Sequence, residues 1–345
     1  METHHQQGTG GEVPLADIDR LRGLSAEAEK LGRLTAEQLE IIYDRRWFKL
    51  FVPADLGGLG LTLPEAVRLE EELAGIDGSL GWTVTLCAGA NWFVGFMDQS
   101  IAEAIFSDAV VCLGGSGQAS GRAVIDNGGY RVSGKWRYAT GTPHLTHFTA
   151  NCILQESGEI QSFFFPKDAV RVIEDWNAFG LKATASHAFE VEDLWVDKTH
   201  VFSIVPDAVR LDDPVYRYPF LQFAEATLAV NTLGMAQHFV ACAGAMGAAV
   251  TPEMAAAASA EIGKNKVLFY EALEASWDEL VNKDLPSPET LEAVSDHSRN
   301  LVRSSREQAV KLYPHVGLVA ADCSSEINRI WRDLFTASQH SLLRA

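Results

Sequence analysis

Near the end of the chain, Asp333, Thr336 and His340 follow one another at spacings of three and four within the run Glu326–Leu343. On one continuous helix turning about 100° per residue these three side chains share a face, and Ile327, Trp331, Leu334, Phe335 and Leu342 form the apolar stripe opposite. A face carrying a carboxylate, a hydroxyl and an imidazole either meets water or lines a polar cleft. In a cleft the imidazole suits proton chemistry, because it accepts and donates near neutral pH. A second candidate is Gly134-Lys-Trp-Arg-Tyr-Ala-Thr-Gly141, a strand with Trp136 and Tyr138 on one face that ends in Ala139-Thr140-Gly141. A small hydroxyl residue followed by glycine either brings an N–H and an O–H against a flat ligand or simply turns the chain.

Other motifs lack the geometry that their chemistry needs. Gly115-Ser-Gly117 with Gly121 departs from G-x-G-x-x-G and precedes a strand, so no helix N-terminus is there to hold a phosphate. His144-x-x-His147 has neither a carboxylate nor a third histidine at ligand spacing, and no metal site is expected. The five cysteines (Cys87, Cys112, Cys152, Cys242 and Cys323) are odd in number and widely spaced. They read as reduced core thiols of a cytoplasmic protein, not as a disulfide or zinc framework.

Three textures position these candidates. The first ~110 residues read as helices, with capping boxes at Thr35-Ala-Glu-Gln38, Thr62-Leu-Pro-Glu65 and Ser100-Ile-Ala-Glu103. From about Val110 to Ser203, short runs rich in Val, Tyr, Phe and Trp alternate with Asn127-Gly-Gly129, Ser133-Gly134 and Ser157-Gly158, as in antiparallel strands, with a bulge at Glu192-Asp193. From Pro219 the helical period returns in four long helices, roughly 219–248, 252–282, 288–313 and 316–343. Thr251-Pro252 and Ser287-Pro288 each place a cap before a proline at the first helical position. The expected fold class is therefore mainly α with a β insert. A helical N-terminal domain (1–109) leads into a middle antiparallel β-barrel or sandwich (110–215) and a C-terminal up-down four-helix bundle (216–345).

With 28 Lys+Arg against 46 Asp+Glu the chain carries a net charge of −18, which disfavours nucleic acid and anionic membranes as partners. Met1–Gly11 has no basic stretch followed by an apolar one, so no export is expected. The uncharged stretches Gly78–Met97 and Ala226–Val250 are long enough to cross a bilayer but lack basic flanks and aromatic belts. They read as helices buried on all sides.

The order of textures, over nearly the whole chain, resembles the acyl-CoA dehydrogenase superfamily of flavoproteins. Val52-Pro-Ala-Asp-Leu-Gly-Gly-Leu-Gly60 is similar to that family's glycine turn, and Gly134–Gly141 to its flavin-contacting strand end. Trp176-Asn-Ala-Phe-Gly-Leu-Lys-Ala-Thr-Ala-Ser186 resembles its W-x-x-x-G-x-x-x-T-x-S segment, and Arg332-Asp333 its Arg-Asp pair in the last helix. The dehydrogenases' catalytic glutamate is missing from Thr336–Ser341, and Glu225 is the alternative carboxylate. Arg-Asp-Leu-x-Thr-Ala-x-x-His is instead similar to the oxygenase components of two-component flavin monooxygenases, the 4-hydroxyphenylacetate-hydroxylase-like branch.

That resemblance implies an oxygenase that takes reduced flavin, FAD or FMN, from a separate flavin reductase and uses dioxygen to hydroxylate a small aromatic or similar substrate. It implies His340 and Thr140 as catalytic residues, His340 toward a phenolic substrate or the peroxide and Thr140 at flavin N5. The flavin-binding set would be Ser116, Tyr138, Ala139, Thr140, Gly141 and Arg332, with Trp82, Trp92 and Phe93 as apolar walls. The family's dinucleotide-binding turn corresponds to Met246–Ser259, which is short and without a cation, so FMN, weakly held FAD and no flavin at all stay open. An acyl-CoA dehydrogenase and a non-catalytic homologue are the alternatives. A homotetramer or homodimer is the expected assembly.

Overall fold

The structure is a computed structural model and describes residues 12–246 and 249–344. Met1–Gly11, in which no export signal is expected, and Gly247 and Ala248 of the cation-free turn lie outside the described residues. Five helices come first: α1 (Leu15–Leu31), α2 (Ala36–Asp44), α3 (Leu63–Ile76), α4 (Gly78–Asn91) and α5 (Gln99–Phe106). The Thr35 and Thr62 capping boxes form as expected, each hydroxyl accepting from the backbone N–H of the residue three on. At α5 the expectation fails. Asp98 is the cap, accepting from the N–H and hydroxyl of Ser100, because a carboxylate outcompetes a hydroxyl for the same orphan donors.

The strands follow: β1 (Leu113–Asp126), β2 (Gly129–Ala139), β3 (His147–Leu154), β4 (Ile160–Pro166), β5 (Arg171–Ile173), β6 (His187–Asp197) and β7 (Val201–Phe202). They make one seven-stranded sheet in the open order β5-β6-β2-β1-β3-β4-β7, in place of a closed barrel or a two-sheet sandwich. The sheet is mixed, not antiparallel as expected. β1 and β3 run parallel, with Leu113 opposite His147 and Ala123 opposite Leu154. The chain leaves the β1–β2 hairpin at Ala139, and β3 starts beside the start of β1, so the two strands share a direction. The bulge at Glu192-Asp193 is present, with Asp193 at φ 48.

Three long helices follow, α6 (Phe220–Ala245), α7 (Pro252–Lys283) and α8 (Pro288–Val316), and the last two are capped by Thr251 and Ser287 ahead of their prolines as expected. The expected fourth helix over 316–343 breaks into three pieces. A 3-10 turn at Leu318–Ala321 precedes α9 (Glu326–Ala337), and a second turn spans Ser341–Leu343. Ser338 and His340 bond nearby backbone through their side chains, Ser338 donating to Phe335 O and His340 accepting from Leu342 N, so α9 stops before them.

One continuous apolar core joins the helices to the sheet. α6 lies at its centre, packed on α3, α4, α7, α8 and α9. The first uncharged stretch is buried inside this core, but the second is buried only to about Val240, since Ala241, Gly244, Ala245 and Met246 at the end of α6 are exposed. No helix among the described residues is long and apolar enough to cross a membrane. Cys87, Cys112 and Cys152 are buried thiols as expected, but Cys323 is exposed in the turn before α9.

Candidate active site

Between the sheet and α4 and α6 lies a cavity enclosing about 1020 Å³, its open mouth included. Its floor is β1 and the end of β2, where Gly114, Gly115, Ser116 and Thr140 face it. Its far wall is aromatic and aliphatic, with Phe93 after α4 and Phe220, Phe223 and Leu228 on α6. His340 and Leu342 close it from the C-terminal turn. No Asp, Glu, Lys or Arg is among its lining residues.

Thr140 reaches the cavity through a local distortion. Tyr138 sits at φ 66, and the β2–β6 register shifts between Trp136 and Ala139, which bends the strand end across the floor. Gly141 follows at φ 77, a backbone region that side chains rarely occupy. A Cβ there would also meet Cys87 Sγ at 3.2 Å. The Thr140 hydroxyl bonds Ser186 Oγ at 3.0 Å, and Ser186 bonds Thr184 Oγ1 at 2.7 Å.

The loop carrying Ser186 is fastened to α9. Asp333 accepts from Leu181 N at 2.5 Å, and Arg332 donates to Phe179 O at 2.9 Å and to Asn328 Oδ1 at 2.6 Å. Arg332 also pairs with Glu29 of α1. Gly180 is obligatory for this approach, since a Cβ on it would lie 2.0 Å from Arg332 O. Burial, with Asp77 close by, pushes the Asp333 carboxyl up to about 8.

His340 heads the last turn, off the helix. Its Nδ1 accepts from Leu342 N at 3.4 Å, and its ring stands edge-on to Trp82 with centroids 6.0 Å apart. Burial, and then the Arg344 charge, hold its pKa below the ordinary histidine value, so the ring is neutral at pH 7. With Nδ1 accepting, the ring hydrogen is on Nε2, and the imidazole offers an N–H.

Ser116, Thr140 and His340 therefore meet around one cavity, as the sequence leads one to expect, with Ala139 and Gly141 flanking Thr140 in its backbone. Tyr138 is exposed against Trp176, and Arg332 is buried in the Glu29 pair; neither lines the cavity. The shared polar face of Asp333, Thr336 and His340 is not there. Asp333 is buried, Thr336 bonds Arg332 O, and His340 lies beyond the helix end. Phe93 lines the cavity and Trp82 backs His340, but Trp92 is fully buried behind them, donating to Val215 O. Glu225 is buried away from the cavity, bonded by Ser295 and by Arg299 at 2.8 Å, so it offers no base there. Sequence reasoning missed Phe220, Phe223 and Thr227, which α6 turns toward the cavity. It also missed a cluster of His238, Cys242 and Glu326, whose ligand atoms lie within 4.8 Å of one another. The positive fields of Arg22 and Arg329 at that cluster oppose a cation.

No family model matches the chain. It is 25% identical over 357 residues to the oxygenase subunit of the flavin-dependent monooxygenase HsaA from Rhodococcus jostii, covering 94% of this chain and 92% of that one. It is 22% identical to an indole-3-acetate monooxygenase from Pseudomonas putida, covering 95% and 89%. Among solved structures, the 3-HSA hydroxylase from a Rhodococcus species superposes with a TM-score of 0.89 at 22% identity, covering 95% and 91%. XiaF from a Streptomyces species, in complex with FADH2 and glycerol, gives 0.85 at 21% identity, covering 95% and 90%. Over nearly its whole length, the chain has the fold of flavin-dependent monooxygenase oxygenase components.

Proposed function

We propose that the protein is the oxygenase component of a two-component flavin-dependent monooxygenase on an acyl-CoA dehydrogenase-like scaffold. It takes reduced FMN or FAD from a separate reductase and hydroxylates a small aromatic substrate. The observation that carries this is the meeting of Thr140, Ser116 and His340 around one charge-free, aromatic-walled cavity. Added Cβ atoms would meet nothing within 4 Å at Gly117 and only Phe223 Cε1, at 3.9 Å, at Gly89, so these two glycines leave the space open.

When bound, reduced flavin supplies the electrons that activate dioxygen. Thr140, Gly115 and Ser116 would hold the ring against the sheet, leaving the substrate between it and the wall of α4 and α6. Phe93, Phe220 and Phe223 exclude water there, which strengthens every polar contact that remains. His340 donates its Nε2–H to an oxygen of the substrate or to the oxygen being transferred. Since no carboxylate lines the cavity, support for α-proton abstraction from an acyl-CoA is lacking. With no cation in the cavity, neutral phenols and indoles should be preferred to aromatic acids. A homo-oligomeric assembly belongs to the same reading, supported by exposed Val267, Leu268 and Val281 on α7.

The test supplies reduced flavin through any flavin reductase in air, with a panel of neutral phenols and indoles. Hydroxylated product that requires this protein supports the reading. It fails if no product forms and reduced flavin reoxidises as fast as it does in buffer.

Two further outcomes are expected. Gly89→Leu places an isobutyl group in the cavity and replaces glycine by a better helix former. The melting temperature should hold or rise while KM for the aromatic substrate rises about tenfold, by the filling of space and the removal of buried contact area. Protonation at His340 Nδ1 would expel the Leu342 N–H and loosen the turn. Because burial lowers this pKa, turnover should stay level from neutral pH down through 6.5 and fall only below it. The linkage has the same sign: the unfolded chain takes up the proton first, so stability also declines as pH falls below 6.5. A pH–rate profile whose acid limb begins above 6.5 would contradict this.

A further inference from the structure

Three buried hydroxyls form a chain behind the cavity floor: Thr140, 5% exposed, Ser186, 4%, and Thr184, 1%. Each hydroxyl has one hydrogen to give and lone pairs to receive. The chain ends on Leu181 O, 2.9 Å from Thr184 Oγ1, and a carbonyl oxygen can only accept. Thr184 therefore spends its hydrogen on Leu181 O; turned elsewhere, its lone pair would confront that oxygen at the same distance. The 2.7 Å contact between Ser186 and Thr184 must then be made by the Ser186 hydrogen. That leaves the 3.0 Å contact between Thr140 and Ser186 to the hydrogen of Thr140. Asp333 fixes the far end by accepting from Leu181 N, and Trp176 Nε1 holds Leu181 O at 3.0 Å.

The only hydrogen of the Thr140 hydroxyl is thus directed away from the cavity, and the hydroxyl meets a ligand there with lone pairs alone. We infer that Ser186 and Thr184 are positioning residues that make the cavity selective for the redox state of its ring. This rests on the reading that the cavity takes flavin. Reduced flavin carries a hydrogen on N5, which the Thr140 lone pairs accept. Oxidised flavin carries a lone pair on N5, which faces oxygen lone pairs with no hydrogen between them. An oxygenase supplied by another enzyme must capture the reduced form and release the oxidised one, and this hydroxyl polarity favours both. With water shut out of the chain, no solvent hydrogen substitutes for the missing donor.

The test measures dissociation constants without turnover, titrating wild type, Ser186→Ala and Thr184→Val with oxidised FMN and FAD and, anaerobically, with their photoreduced forms. Wild type should bind the reduced form more tightly. Ser186→Ala frees the Thr140 hydrogen to turn into the cavity, so affinity for oxidised flavin should rise and the preference for reduced flavin should fall about tenfold, the scale of one hydrogen bond. Thr184→Val frees the Ser186 hydrogen for Thr140 and should shift the ratio the same way. A merely structural role weakens both redox states together, so an unchanged ratio in the two variants overturns the inference. Equal binding of both states by wild type also overturns it. If wild type binds neither state, the flavin reading of the cavity fails and the inference with it.

Discussion

Replacing His340 by alanine should lower substrate hydroxylation by about a hundredfold, at the low end of what a positioned proton donor or acceptor contributes. Affinity for reduced flavin should change less than about twofold, since in the proposed site Thr140 and Ser116 would hold the ring from the opposite side. The geometry also says which role the imidazole has. Nδ1 already accepts from Leu342 N, so the ring meets the cavity as a donor and not as a base. His340→Gln separates the two roles, because a carboxamide donates an N–H but cannot take up a proton. A donor role predicts that His340→Gln recovers turnover to within about tenfold of wild type, the scale of one hydrogen bond. A base predicts no recovery. Turnover and flavin affinity falling in equal measure in His340→Ala would make the ring a packing element against Trp82.

The largest effect on stability is expected at Arg332. Its guanidinium is nearly buried, paired with Glu29 and donating to Asn328 Oδ1 and Phe179 O. Arg332→Ala leaves the Glu29 carboxylate largely enclosed, with Lys182 as its nearest cation at 3.8 Å. Removing one partner of such a pair costs about 3–5 kcal/mol, which urea unfolding reads as a lower midpoint with little change in slope. Lysine should restore only part of this, since a point charge cannot serve an acid, an amide and a carbonyl at once. The damage should reach the cavity through the 176–186 loop, so the residual folded enzyme should also bind reduced flavin more weakly. Arg332→Ala unfolding within about 1 kcal/mol of wild type, the yield of an exposed pair, would show that the pair contributes as a surface pair does.

What the sequence discloses and what it hides divide along the range of the interactions. Thr35, Thr62, Thr251 and Ser287 are readable as caps because each bonds a backbone N–H three residues away. The succession of helical and strand textures is readable for the same reason: periodicity is a local property. The parallel pairing of β1 with β3 is not readable, because turn residues announce only the hairpin between neighbours. The end of α9 at Ala337 is hidden because Leu342 keeps the helical period beyond it, although the chain has already turned. The burial of Trp92 behind the cavity wall is hidden because the 3-10 turn over Trp92–Phe96 rotates side chains by more than an α-helix does. The T-x-S of Thr184 and Ser186 is plain in the sequence, but its bond to Thr140 spans 46 residues and no spacing rule can supply it. The meeting of Thr140 with His340 was legible only through resemblance, since 200 positions separate them in the chain.

The proposed seat of the flavin ring is the slot between the Thr140 strand end and the His340 turn. A crystal structure of the anaerobic complex with reduced FMN or FAD addresses it directly. The tricyclic ring should lie on Gly115 and Ser116, with N5 within hydrogen-bonding distance of Thr140 and the His340 imidazole across the remaining space. Density for the ring elsewhere, for instance in the polar depression bordered by Trp176, Lys182 and Arg329, with the slot filled by side chains, would contradict it.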